Sequence, residues 1–166
     1  MRKFYTFGLI CVLALTLILA TGCSSNGSSG GNSNNQGNAV STSTPTLVTQ
    51  SMNLVNGVIT VNAGSFYDKP FTIGSGYQNV NVTGSFQASG GSGNDIEVYI
   101  FSDMDFTNWS NGHQASNVYD SGKMTVGNIS AAMTAGSYHL VFNNNFSTFT
   151  SKQVSTNANL NYSMWK

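Results

Sequence analysis

Charge is scarce in this chain: only 7% of its 166 residues are Asp, Glu, Lys or Arg. No arginine follows Arg2, and beyond Lys3 four lysines face six acidic residues. Phosphate recognition needs clustered Lys and Arg, so nucleic-acid binding is excluded. Histidine is nearly as rare. His113 and His139 stand 26 positions apart with no cysteine beside either, whereas zinc wants three or four ligands, so no metal site is expected there. The two cysteines, Cys11 and Cys23, lie close to the start. Long amphipathic periodicity is missing too: no stretch keeps apolar residues at helical spacing for three turns, which argues against a helical fold.

The residues for catalysis are also missing. A serine nucleophile needs a base within reach and an orienting acid. No Gly-x-Ser-x-Gly elbow is present, since Gly74-Ser75-Gly76 and Gly91-Ser92-Gly93 read as glycine turns. A glycosidase needs two carboxylates flanking one bond, and no pair is singled out. Asp95, Glu97, Asp103 and Asp105 could offer oxygens to calcium, but without EF-hand spacing they read better as a solvated loop and a helix cap. The expectation is a non-enzymatic protein without a cofactor.

What is present begins at the N-terminus. Met1-Arg2-Lys3 is a short positive start, Phe4 to Ala20 carries no charge, and Ala20-Thr21-Gly22-Cys23 closes the run. A positive segment, an apolar segment and a small-residue exit are the parts of a secretory signal. The apolar run is short against the roughly 20 residues that a membrane span needs. The exit resembles the lipobox of bacterial lipoproteins. That resemblance implies cleavage before Cys23, acylation of its thiol, and attachment to a lipid bilayer in the cell envelope. With Cys11 lost in the leader (1–22), no internal disulfide is left. Ser24, in place of the aspartate that commonly retains such proteins at the inner membrane, implies the outer membrane if the cell is Gram-negative.

Residues 23–46 are nearly all Ser, Gly, Asn and Thr after the cysteine, with no charge and no aromatic. Such a composition buries too little apolar area to offset chain entropy, so a flexible, lipid-anchored linker is expected. Its root-mean-square reach would be about 25 Å. The rest, 47–166, is long enough for one core.

That domain reads as all-β, an antiparallel β-sandwich of the jelly-roll or GOLD-like kind with seven or eight strands. Short alternating runs sit between turn signals. They are Val58–Val61; Lys69–Ile73, placed at an edge because Pro70 has no N–H; Val80 to Ala88; Ile96 to Phe101; a run near Lys123 to Ser130; Tyr138 to Phe142; and Val154 to Tyr162. A short strand near Val118 and Tyr119 is a further candidate. Asp103 to Ser110 is the one helical piece, capped by Asp103 or Asp105.

Residues 136–154 read GSYHLVFNNNFSTFTSKQV. With Gly136, Tyr138, Phe142, Asn144, Phe146, Ser147, Ser151 and Lys152, this stretch resembles the C-terminal hairpin of GOLD-type β-sandwich domains. Asn143 replaces the usual aspartate of the turn. The resemblance implies a sandwich that binds proteins or lipids without catalysis.

The best binding candidates are loop aromatics. Tyr99, Phe106 and Trp109 lie in or beside one connection, and Phe146 and Phe149 lie in another. Aromatics on loops hold sugars or hydrophobic partner groups, although the same rings could simply plug the end of the core. The leading expectation is an envelope module that binds a protein or plays a structural part. The alternative is a carbohydrate-binding module built on these rings.

Overall fold

In the computed structural model, residues 44–166 are described. The leader (1–22), Cys23 and most of the 23–46 linker lie outside the described residues. The domain has eight strands and one helix: β1 (Leu47–Val61), β2 (Phe66–Ile73), β3 (Gln78–Ser89), β4 (Ile96–Ser102), α1 (Asp103–Ser110), β5 (Tyr119–Met124), β6 (Val126–Ala132), β7 (Gly136–Asn143) and β8 (Lys152–Trp165).

The strands form two four-stranded antiparallel sheets. Sheet A has the order β1-β8-β3-β6 and sheet B the order β2-β7-β4-β5. Every connection from β1 to β8 crosses between sheets, apart from the hairpin-like pairing of β4 with β5. This order is the jelly roll, two interleaved Greek keys. The inner faces meet in one core. Val82, Ile96, Val98, Ile100, Leu140, Phe142, Val154 and Leu160 are fully buried there. Alternation explains it: on β8 the even-numbered residues from Lys152 to Leu160 are buried, and the odd-numbered ones are exposed or half-buried. Gly127 opens a space in β6 that the Phe86 ring fills, and a Cβ there would collide with the ring.

Three sequence expectations need correction. The first strand is longer than Val58–Val61 and starts at Leu47. A bulge between Asn53 and Val55 shifts its register, so Leu54 and Val55 are both buried side by side and the alternation that would mark the strand is broken. The run near Lys123 to Ser130 is two strands, because the chain changes sheets at Thr125. The helix cap is Ser102: its hydroxyl accepts the Asp105 N–H at 3.2 Å and donates to the Asp105 carboxylate at 2.6 Å. Asp105 sits three residues in, where a side chain reaches back to the cap. Pro70 does lie on an edge strand, β2.

The sandwich has two distinct ends. Thr46 and Lys166 exchange backbone hydrogen bonds at 2.9 and 3.0 Å, so the chain enters and leaves the domain together. β1 pairs with β8 over its whole length and ends at Val61, opposite Lys152. Fourteen steps of about 3.3 Å along β1 put that far end about 45 Å from the entry point. The connections β1–β2, β3–β4, β5–β6 and β7–β8 cluster there, and we call this end the rim.

Candidate functional site

The five aromatic candidates separate into two groups. Tyr99, Phe106 and Trp109 come together on the outer face of sheet B, under α1. Trp109 lies 5.0 Å from Phe66, 5.3 Å from Phe101 and 6.0 Å from Tyr99, centroid to centroid. Phe106 lies 5.8 Å from Phe66 and stacks flat on His139 at 3.9 Å. All three candidates are half-buried. They fill a second, smaller core outside the sandwich and do not plug its end.

His139 fastens this cluster. Its Nδ1 lies 2.9 Å from Asp68 on β2, and its Nε2 lies 3.1 Å from Asp103 on α1. Carboxylates only accept, and a neutral imidazole has one N–H, so both contacts are hydrogen bonds when the ring carries both protons. With both nitrogens occupied and Phe106 on its face, His139 bolts helix to sheet. Burial, then the carboxylates of Glu97 and Asp120, push the Tyr99 phenol above its ordinary range. The Ser102 hydroxyl and the Ser116 N–H hold the half-buried Asp105 carboxyl below the usual carboxylate range.

Phe146 and Phe149 stand at the rim, away from the other three. Phe149 is 93% exposed. Phe146 is half-buried, with the Lys123 ammonium 4.1 Å above its ring. Beside them the Gly90–Asp95 connection and the β7–β8 loop enclose a polar concavity of about 240 Å³, lined by Ser92, Asp95, Phe146, Ser147, Thr150 and Lys152 among others. Lys152 is buried at its floor. Its ammonium donates to the Gly90 carbonyl at 2.8 Å and to Asp95 at 3.2 Å. Asn144 holds the loop: its side-chain amide donates to the carbonyls of Val61, Asn62 and Thr150 at 3.0 to 3.2 Å. Those three carbonyls dictate the amide's orientation and leave its Oδ1 without a partner among the described residues.

Neither a family model nor a curated protein matches this chain. Its chemistry has therefore to be read from its own side chains. The four carboxylates considered for calcium are dispersed: Asp95 pairs with Lys152, Glu97 accepts from Asn143 at 2.7 Å, Asp103 faces His139, and Asp105 faces Ser102. Among the described residues no three His, Cys, Asp or Glu side chains are placed to hold a metal ion. His113 is exposed on the turn after α1.

Sequence reasoning missed Asp68, His139 and Phe66 as members of the cluster, and Lys152, Asp95 and Asn144 as the frame of the rim. One signal was available. In β4 and β7 the outer parity also carries apolar side chains, Tyr99, Phe101 and Val141, the last two almost fully buried beside Ile100 and Leu140. A strand apolar on both parities is covered on both faces.

Proposed function

We propose that this chain is a membrane-anchored bacterial lipoprotein, held in the cell envelope by an acylated Cys23, whose sandwich is a non-catalytic module that binds a partner macromolecule through its rim. The observation that carries this reading is the polarity of the domain. The chain enters at one end, and the most exposed large hydrophobic side chain among the described residues, Phe149, sits at the other. A module tethered near Leu47 would thus present its rim away from the bilayer. Two anchored acyl chains hold a protein on a membrane stably.

The rim has the features of a recognition site. It is a concavity on loops, backed by a rigid scaffold, with an exposed aromatic beside buried polar groups that Asn144 and Lys152 hold in place. Its composition suits a protein partner: aromatics are enriched in such interfaces and contribute most when they enter a partner's pocket. The likeness of residues 136–154 to GOLD-type domains supports a binding role for the same loop. The carbohydrate reading based on Tyr99 and Trp109 has less support, because those rings already pack on one another.

Two measurements test the proposal. Mass spectrometry of the mature chain should find a lipid-modified Cys23 at its N-terminus; an unmodified N-terminus or a free thiol defeats the anchor. Chemical crosslinking in intact cells, from a photoreactive residue at position 149, should capture an envelope protein. Capture from position 104 on α1 and none from the rim would assign binding to the wrong end.

A further inference from the structure

The outer face of sheet A differs from that of sheet B. The strands of sheet A hold one charged side chain, Lys152, and that residue points inward and is buried. Apart from Val58 and Val126 on the two edge strands and Leu47 and Trp165 at the entry end, the outward positions are mostly amides and hydroxyls, such as Asn53 on β1, Asn157, Asn159 and Asn161 on β8, Thr83 on β3 and Asn128 on β6. Solvated surfaces normally mix charges of both signs. Four strands without an outward charge depart from that.

The face is also ordered. Asn161 accepts from Ser51 at 2.8 Å and donates to Asn81 at 3.1 Å and Thr83 at 2.8 Å, linking three strands. Asn53 donates to Asn159, which donates to Asn157 at 2.6 Å. Gln153 donates to Thr60 at 2.9 Å. Side chains held this way lose less freedom on binding. Toward one side a shallow concavity of about 310 Å³ runs between Asn56, Ser85, Gln87, Val126, Ser155 and Asn157.

We infer that this face binds an uncharged polysaccharide laid across the strands. Amide groups both donate and accept, and so do hydroxyls. A sugar polymer offers the same double capacity at every free hydroxyl, repeated along its length, as the strands repeat theirs about every 4.8 Å across the sheet. A lysine could only donate and a carboxylate only accept, and neither occurs on the face. An acidic polymer would meet no cation there. A lipid surface or a hydrophobic protein core would meet only small apolar spots, Val58 and Val126 on opposite edge strands and the paired Leu47 and Trp165 at the entry end. This site is separate from the rim and does not depend on acylation of Cys23.

The experiment is co-sedimentation of the full chain, in detergent, with insoluble neutral polysaccharides (cellulose, chitin, a β-glucan and a mannan), with soluble alginate in affinity electrophoresis as the acidic comparison. The expected result is retention by at least one neutral polymer, unchanged between low salt and 1 M salt, since binding without ionic contacts is not screened. The double variant Asn157→Ala/Asn159→Ala should weaken it at least tenfold, while Met104→Ala, on α1, should not. Side-chain amide resonances of the unaltered chain should shift at Asn157 and Asn159 on addition of soluble oligosaccharide, a readout that no folding defect can imitate. Retention by none of the neutral polymers overturns the inference. So does binding to alginate alone that is lost at high salt, and so does a concentration-dependent dimer abolished by the double variant without any glycan retention.

Discussion

The two sheets of this sandwich are alike inside and opposite outside. Each has four strands and gives one apolar face to the shared core. Outside, sheet B carries Asp68, Glu97, Tyr99, Phe101 and His139, and most of these are drawn into a ring cluster roofed by α1. Sheet A is bare, with neutral amides and hydroxyls bonded to one another. The comparison separates two uses of a strand's second face. On sheet B it adds apolar contact and so stability. On sheet A it adds little stability and leaves a surface free to meet something else.

Substitutions on either side can sharpen or break that contrast. The reference is the shared core: Phe142→Ala removes a fully buried ring and should lower unfolding free energy by about 3–5 kcal/mol in urea titration. Asn144→Ala should cost about 2–3 kcal/mol by the same titration, because it removes the amide that ties the Val61–Asn62 carbonyls to that of Thr150 and leaves the buried Val61 carbonyl without this donor. Trp109→Ala should cost about 2 kcal/mol, less than a core ring since the indole is half-buried, with loss of tryptophan ellipticity in the near ultraviolet. A loss below about 0.5 kcal/mol would mean that the roof over sheet B is not a second core.

Alkali should strike sheet B too. The raised pKa of Tyr99 means that the folded state holds its proton more tightly than the unfolded chain does. Its contribution is complete below the ordinary tyrosine range near about 10 and declines as pH rises above it. Tyr119 and Tyr162 are held above the ordinary range as well, so phenolate absorbance should show several tyrosines ionising late, Tyr99 last of all, and Tyr99→Phe should remove that last step. The smallest effect belongs to sheet A: Asn157→Ala, exposed among neutral neighbours, should change stability by no more than about 0.5 kcal/mol. A loss comparable with that of Trp109→Ala would show that the amide network holds the fold together and would erase the contrast between the faces.

Legibility followed the same division. On β3 and β8 polar and apolar residues alternate cleanly, and both strands could be read directly. On β4 and β7 the inner parity was correct, yet the covered outer parity was not recognised as a second packed layer, because an apolar run does not say what lies above it. On β1 the pattern shows only Val58–Val61, because the bulge places Leu54 and Val55 side by side. The helix was placed at Asp103 to Ser110, but its cap was assigned to the carboxylates instead of Ser102, since Asp and Ser are equally good at that position. Of the aromatic candidates, sequence proximity correctly joined Phe106 to Trp109. It could not show that Phe146 would lie under Lys123 and Phe149 in solvent.

Local pattern alone determined the all-strand architecture, the edge position of Pro70, the site of the single helix and the near absence of charge, because period-two alternation, a missing N–H and composition act within a few residues. Which strands became neighbours, and so which outer face received the helix, was decided by tertiary structure. The jelly-roll order brings Asp68, Asp103 and His139 together from three distant segments, and aligns Asn81, Asn161 and Ser51 across three others. No local rule couples such residues; only the requirement to bury both inner faces in one core does.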